Sequence, residues 1–534
     1  MENEKAIKKP SLFTALLLVG LLAGVLALWL NLDFLGKGDD DPRIPLVIVT
    51  MVATFLAIRM GHKWKAIEDR MISTISLAMQ ANIILLTVGM LIASWMVSGT
   101  VPSLIYYGLQ LISPTWFYVA ACIICCVVSL SIGSSWSTAG TVGVALIGIS
   151  YGLGLNPAIA AGAIISGAYF GDKIAPLSDT TNLAAAMTGT DLFEHIKHLM
   201  WTTVPSLLFA LILFTIIGFA DSGAGSVNQI PGILAALDSA FNITPLALIP
   251  LLVIIAVILI KIPPIPGLFC GIATALIIAF LTQSSIYGGF SGLTKTIVDS
   301  VQYGYVTEVL EDQAAEEEEL VNAAIDALEE AKDEGASAAT IAHLENELRE
   351  VEASAPNYMV YGLVSRGGLE DMLWTISLII IAMCFGGIME MAGFLNKIAE
   401  AMLKLAKGTG SLMMVSILSC IFMNILCSDQ YLSIVIPGRM YRKEFIKRGV
   451  KLKNLGRCLE DGATITSPLV PWNTCGAYMS RVLGVPTWQY IWFAFMNYTA
   501  PIFGIILGFT KIGGSVPMMT EEEKAEIQAK ELAE

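Results

Sequence analysis

Gly171–Asn182 reads GDKIAPLSDTTN and Glu460–Thr474 reads EDGATITSPLVPWNT. Each interrupts an apolar stretch with a Pro-Leu step flanked by acids, hydroxyls and an amide. In hydrocarbon, a broken helix and a carboxylate persist only where protein or a water-filled cavity satisfies the freed backbone groups and the charge. Two such breaks in matching places of two halves of an apolar chain mark the substrate site of a secondary transporter.

The rest of the chain agrees. Of 534 residues, 55% are hydrophobic and 14% charged, against about 25% charged in an average soluble domain, and mean hydropathy is +0.71. This is the composition of an all-α polytopic membrane protein. Runs of spanning length lie near 11–32, 72–97, 201–219, 244–260, 372–392 and 488–509, with shorter ones between them. Roughly ten to fourteen crossings or half-crossings are expected. The first run follows Lys5, Lys8 and Lys9 and is longer than a secretory signal core, so it reads as an uncleaved span.

The net charge of -14 is local. Sixteen of the 45 acids and two of the 31 basic residues fall between Val306 and Ser354, leaving 29 of each elsewhere. Leu320, Ala324 and Leu328, then Ile341, Leu344, Leu348 and Val351, keep helical spacing on either side of Gly335 and Ser337. A soluble acidic helical hairpin is predicted, a solvated extension outside the chemistry. Cys122, Cys125 and Cys126 lack a nearby histidine or second thiolate pair and read as apolar packing.

Lysine and arginine clusters set orientation. Lys5, Lys8 and Lys9 place the N-terminus in the cytoplasm, and the cluster from Arg439 to Arg457 forms a cytoplasmic loop. Asp39 to Asp41, the stretch from Asp221 to Asp238 and the acidic hairpin fall outside, and the tail opens with a Thr520 to Glu523 capping box and ends in the cytoplasm. Gly99 matches Gly393, Pro176-Leu177 matches Pro468-Leu469, and the serine-rich 131–140 faces 423–432 at nearly the same shift. Equivalent loops at 151–157 and 439–457 carry opposite charge bias, so two inverted-topology repeats with broken helices and re-entrant hairpins are expected. The organisation is then N-terminal spans (1–70), transport repeat 1 (71–219), linking spans (220–305), the acidic insert (306–354), transport repeat 2 (355–510) and a cytoplasmic tail (511–534).

Hard cations take oxygen ligands, and the breaks supply them. Asp172, Ser178, Asp179, Thr180, Thr181 and Asn182 come from the first, and Asp461, Ser467, Asn473 and Thr474 from the second, with Thr464 and Thr466 beside them. Asp429 and Gln430 add a third polar tip, and Glu390 stands alone in an apolar run. A sodium shell from Asp179, Thr180, Asn182, Ser467 and Asn473 is the leading assignment, with no resident cofactor. Each residue has a plainer alternative. Glu460 and Asp461 pair with Arg457 at the cytoplasmic surface, Asp172 pairs with Lys173, Asp179 is a helix N-cap, Glu390 is an interhelical hydrogen-bonder, and His195 and His198 sit at a membrane edge.

The run GAIISGAYFGDKIAPLSDTTNLAAAMTGTDLFEHIKHLMWTTVPS (162–206), with DQYLSIVIPGRMY (429–441) and SPLVPWNTCGAYMS (467–480), resembles the signature of the NhaC family of sodium/proton antiporters. The resemblance implies paired inverted repeats, transport of Na+ and H+ across the cytoplasmic membrane, no nucleic-acid partner, and a homodimer by analogy with the wider ion-transporter group. Relatives similar in these motifs exchange malate and protons for lactate and sodium, or carry amino acids. The expected mechanism is competition, in which a desolvated carboxylate, foremost Asp179 with Asp172 or Asp429, holds sodium or protons but not both. Against an intramembrane aspartyl protease, position 169 is tyrosine where a Gly-x-Gly-Asp motif needs glycine, and no HExxH occurs. Against a channel, the polar groups gather at two breaks and form no continuous stripe.

Overall fold

The computed structural model describes residues 7–31, 41–221, 230–260, 262–333, 335–365 and 367–525. Lys5, Asp39, Asp40, the segment 222–229 and the end of the tail from 526 lie outside the described residues. Among these residues every regular element is a helix. Seven helices are long and apolar enough to cross a membrane, or eight if the pair Ile230–Ala240 and Pro245–Val257, bent by 91°, counts as one. The remaining helices fall short in length or in apolar character, against the ten to fourteen crossings or half-crossings expected from the sequence.

Two helices, α1 (Leu12–Asn31) and α2 (Arg43–Arg59), precede a first unit of eight. It comprises α3 (Trp64–Val97), α4 (Thr100–Leu111), α5 (Phe117–Ile132), α6 (Ser135–Thr138), α7 (Val144–Gly152), α8 (Pro157–Ile174), α9 (Asp179–Thr188) and α10 (Leu192–Asp221). A linking region follows, with α11 (Ile230–Ala240), α12 (Ile249–Leu259), α13 (Pro264–Thr282), α14 (Gly289–Tyr303), α15 (Glu308–Asp333), α16 (Ala338–Ala353) and α17 (Pro356–Val364). The second unit holds α18 (Leu369–Met391), α19 (Phe394–Leu403), α20 (Thr409–Cys427), α21 (Gln430–Lys447), α22 (Leu452–Leu459), α23 (Thr474–Leu483), α24 (Thr487–Tyr490) and α25 (Phe495–Thr510).

The same punctuation recurs in both units. Gly99 and Gly393, both left-handed, join a long helix to a short amphipathic one. Gly133 and Ser428 are left-handed and precede the capping residues Ser134 and Asp429. Ser178 and Asn473 cap α9 and α23, which end at left-handed Gly189 and Gly484. These capping pairs share one register, which aligns Pro176 with Pro471 and not with Pro468 as the Pro-Leu steps had it; helix starts fix the register more firmly than a shared dipeptide. Gly133 has no freedom to change, because a Cβ there would lie 2.8 Å from the backbone carbon of Leu177.

The units pack through α3 on α18, α9 on α21 and α22, and α10 on α25. Outward faces are apolar: Leu208, Ile212, Ile216 and Phe219 line one exposed stripe of α10, the arrangement a helix needs against lipid. The acidic insert folds as the expected hairpin, α15 against α16, with the Ser337 hydroxyl accepting from Thr340 N. Glu317 ties it to α17 by accepting from Asn357 Nδ2 and Tyr358 N at 2.7 and 2.8 Å. The Thr520 to Glu523 capping box forms. The basic stretch 439–457 is mostly helix, the end of α21 and then α22, and Arg457 within it is fully buried.

The tightest seam positions the first break. At Gly167 in α8 a Cβ would lie 2.2 Å from the Cys122 carbonyl oxygen of α5, so only glycine allows this approach. Gly167→Val is expected to push the two helices apart and cost about 1–3 kcal/mol, as overpacking does. A clear drop in thermal unfolding temperature of the purified protein checks it.

Candidate functional site

Both breaks are made by chain chemistry. α8 stops at Ile174 because Pro176 offers no N–H and restricts the residue before it, and α9 restarts under the Ser178 cap. Ser178, and not Asp179, is that N-cap. In the second unit, α22 runs into a π-helical turn, Glu460–Thr464, and a 3-10 turn, Ser467–Leu469, before Asn473 caps α23. Single π-turns inside helices concentrate at functional sites.

A cavity of about 630 Å³ lies where these tips meet. Its polar lining comes from Gln80, Ser134, Ser137, Thr141, Asp172, Asp179, Thr180, Asp429, Gln430, Tyr431 and Thr474, with Trp136, α3 and α13 closing the sides. Asp172, Asp179 and Asp429 are grouped around Tyr431. No lysine or arginine lines it among the described residues, so its field favours cations.

Asp172 is the best-prepared of the three acids. It is buried, Ser135 Oγ donates to its Oδ2 at 2.6 Å and Ser178 Oγ to its Oδ1 at 2.7 Å, and Thr180 Oγ1 is 3.1 Å from Ser178 Oγ. A hydroxyl that donates its proton to a carboxylate keeps its lone pairs for a cation. The cluster thus offers a carboxylate and several hydroxyl oxygens in one place, a donor set that suits a hard monovalent ion. Asp179, expected to be the desolvated acid, is exposed at the first turn of α9, facing the cavity. The first turn of a helix that starts at a loop leaves its side chain outward.

The other candidates divide. Thr180 and Thr474 reach the cavity, and Asp429 lines it while capping α21 by accepting from Leu432 N at 2.9 Å. Thr181 donates to the Asp172 and Lys173 carbonyls, and Asn182 donates to the Pro176 and Ser178 carbonyls; both brace the loop. Ser467 donates to Thr464 O at 2.8 Å and to Gln430 Oε1 at 3.3 Å. Asn473 donates to Asn424 and accepts from Cys475 N. Ser467 and Asn473 therefore support the wall without lining the cavity. Glu390 is not alone and does not line the cavity, being ion-paired with Arg70 of α3 and partly exposed.

The two local pairings foreseen from sequence are replaced by one long-range pairing. Lys173 binds Asp461 across the two units, and neither side chain has exposed surface. Thr202 of α10 completes the triad, donating to Asp461 Oδ1 at 2.9 Å and accepting from Lys173 Nζ at 3.1 Å. Arg457 instead donates to Ser515 O at 2.9 Å. His195 and His198 are buried beside this cluster, His198 Nε2 lying 3.1 Å from Asn454 Oδ1. Ser135 and Thr202 escaped the sequence reading, although the serine-rich turn after Gly133 was a signal for the first.

Broken helices around a cation-attracting cavity, between two units of like element order, define a secondary transporter. The chain matches the family model described as "Na+/H+ antiporter family" over residues 167–312 and 331–512. It is 36% identical to the Na(+)/H(+) antiporter NhaC of Alkalihalophilus pseudofirmus, over 95% of this chain and 97% of that protein. It is 33% identical to NhaC of Bacillus subtilis over 96% of this chain and all of that protein. To the malate-2H(+)/Na(+)-lactate antiporter of Bacillus subtilis it is 30% identical, over 95% of this chain and 96% of that protein. The chain belongs to the Na+/H+ antiporter family and is a multi-pass membrane antiporter, not an enzyme.

The triad yields a double-mutant test. Removing one partner of a buried ion pair strands the other charge and costs about 3–5 kcal/mol, whereas replacing both with apolar groups is often near neutral. Lys173→Met and Asp461→Leu should each lower the unfolding temperature strongly, and the double variant should recover most of the loss. Additive losses in the double variant would show that the two side chains are not paired.

Proposed function

We propose that this antiporter exchanges Na+ for H+ across the cytoplasmic membrane by alternating access, with both termini in the cytoplasm. The observation that carries the reading is the cavity's charge: three carboxylates and no basic side chain among its described lining residues. Sodium binds at Asp172 with the Ser135, Ser178 and Thr180 hydroxyls, and Asp179 and Asp429 draw it in. A buried carboxylate without a counter-charge is unfavourable, so sodium and protons relieve the buried acids of this region in turn, and binding of one disfavours the other. The two units then rock about the site, and each loaded form crosses.

A malate/lactate exchange is the rival that a relative's activity raises. A dicarboxylate needs positive partners, and the basic groups near the breaks are engaged elsewhere: Lys173 with Asp461, and Arg481 with Asp371. The cavity's composition supports the cation.

In proteoliposomes holding a pH gradient, adding sodium should dissipate the gradient without malate or lactate, and Asp172→Asn should reduce the rate at least tenfold. Asp179→Asn should act mainly by weakening apparent sodium affinity, since its carboxylate is exposed at the cavity wall. Dependence of the pH change on an organic acid would overturn the reading.

A further inference from the structure

The π-turn holds an acid that the cavity does not use. Glu460 has no exposed surface, and neither of its carboxylate oxygens has a hydrogen-bond partner among the described residues. The Thr464 hydroxyl is close by but outside hydrogen-bonding geometry. Asp172 and Lys173 of α8 and Asp461 on its own turn face it through space, as does Cys420 of α20. α22 brings Arg457, which faces Asp461, and α10 brings His195, which faces Lys173. α9 and α21 contribute Asp179 and Asp429 on the cavity side, while α25 contributes Gly504, against which Asp461 Oδ2 packs. Of the cations on these elements, Lys173 is engaged by Asp461 and Thr202, while Arg457 donates Nη1 to Ser515 O and its Nε and Nη2 make no hydrogen bond to Glu460 or to any other described residue.

Asp172 and Glu460 are therefore neighbours in opposite settings. Asp172 takes two hydroxyl donors and opens on a cavity; Glu460 takes none and is enclosed. A sodium ion needs several oxygens and a route by which to shed its water, whereas a proton needs one oxygen and no shell. Donors to a carboxylate favour its ionised form and their absence favours the acid. Paired acids whose environments differ in this way take different roles.

We propose that Glu460 holds the proton that is exchanged for the cation: sodium binds at Asp172, the proton resides on Glu460 behind it, and each excludes the other through space. The inference rests on the Na+/H+ reading and deepens it. With sodium at Asp172, Glu460 is ionised; with Asp172 empty of sodium, Glu460 carries the proton. The two loaded forms have equal total charge, so one proton leaves as one sodium ion arrives. No bond to the cation passes through Glu460, which acts on Asp172 by charge alone.

The test uses full-length protein in detergent, weakly buffered with a pH indicator, and sodium chloride against choline chloride. Wild type should release about one proton per sodium bound. Glu460→Gln should bind sodium with no release and with an affinity independent of pH, and Glu460→Asp should restore the release. In proteoliposomes Glu460→Gln should keep sodium/sodium counterflow and lose sodium/proton exchange, which a merely structural role would not separate. Proton release persisting in Glu460→Gln would overturn this inference and leave the antiport reading standing, as would loss of sodium binding in both Glu460 variants, which would put the residue in the cation shell. Absence of any sodium-dependent proton movement in wild type would overturn the antiport reading itself.

Discussion

A lysine and an aspartate without exposed surface, Lys173 and Asp461, join the two units at the level of the site. The two charges are removed from water only because each satisfies the other and Thr202 takes a share of both. With Lys173 drawn toward Asp461, its neighbour Asp172 meets the serines of the first unit and the cavity, and among the described residues no lysine or arginine is ion-paired with it. The cavity is thereby lined by three carboxylates and, among the described residues, by no basic side chain.

This division explains how a site rich in acids stays selective in purpose. One acid is fixed by a lysine, one is furnished with hydroxyls, and one is left without donors. Family members of similar sequence include a malate-2H(+)/Na(+)-lactate antiporter, so the broken-helix frame itself does not choose the cargo. On the proposed reading the side chains lining the cavity do, and here its polar ones are acids, hydroxyls and the two amides Gln80 and Gln430.

Most of the frame was legible in the sequence. Proline, glycine and hydroxyl residues amid apolar runs announce broken helices from local chemistry alone, and the spacing of Leu320, Ala324 and Leu328 gives the insert its helix. The partners of charged residues were not legible. Lys173 adjoins Asp172 and Arg457 lies one turn from Asp461, yet Lys173 crosses the molecule to Asp461 and Arg457 turns to Ser515. Sequence proximity says little about charges whose pairing depends on which helix faces are buried. Asp179 shows the same limit: its neighbours predicted a polar tip, but the phase of α9 decides that Thr180 and Thr181 are buried and Asp179 is exposed at the cavity wall.

The position of the bound cation tests the account most directly. A structure determined with thallium(I) in place of sodium should show one anomalous peak in contact with the Asp172 carboxylate and the Ser135 and Ser178 hydroxyls, between the two units. A peak on Asp461 or Glu460, or none within reach of Asp172, would contradict it.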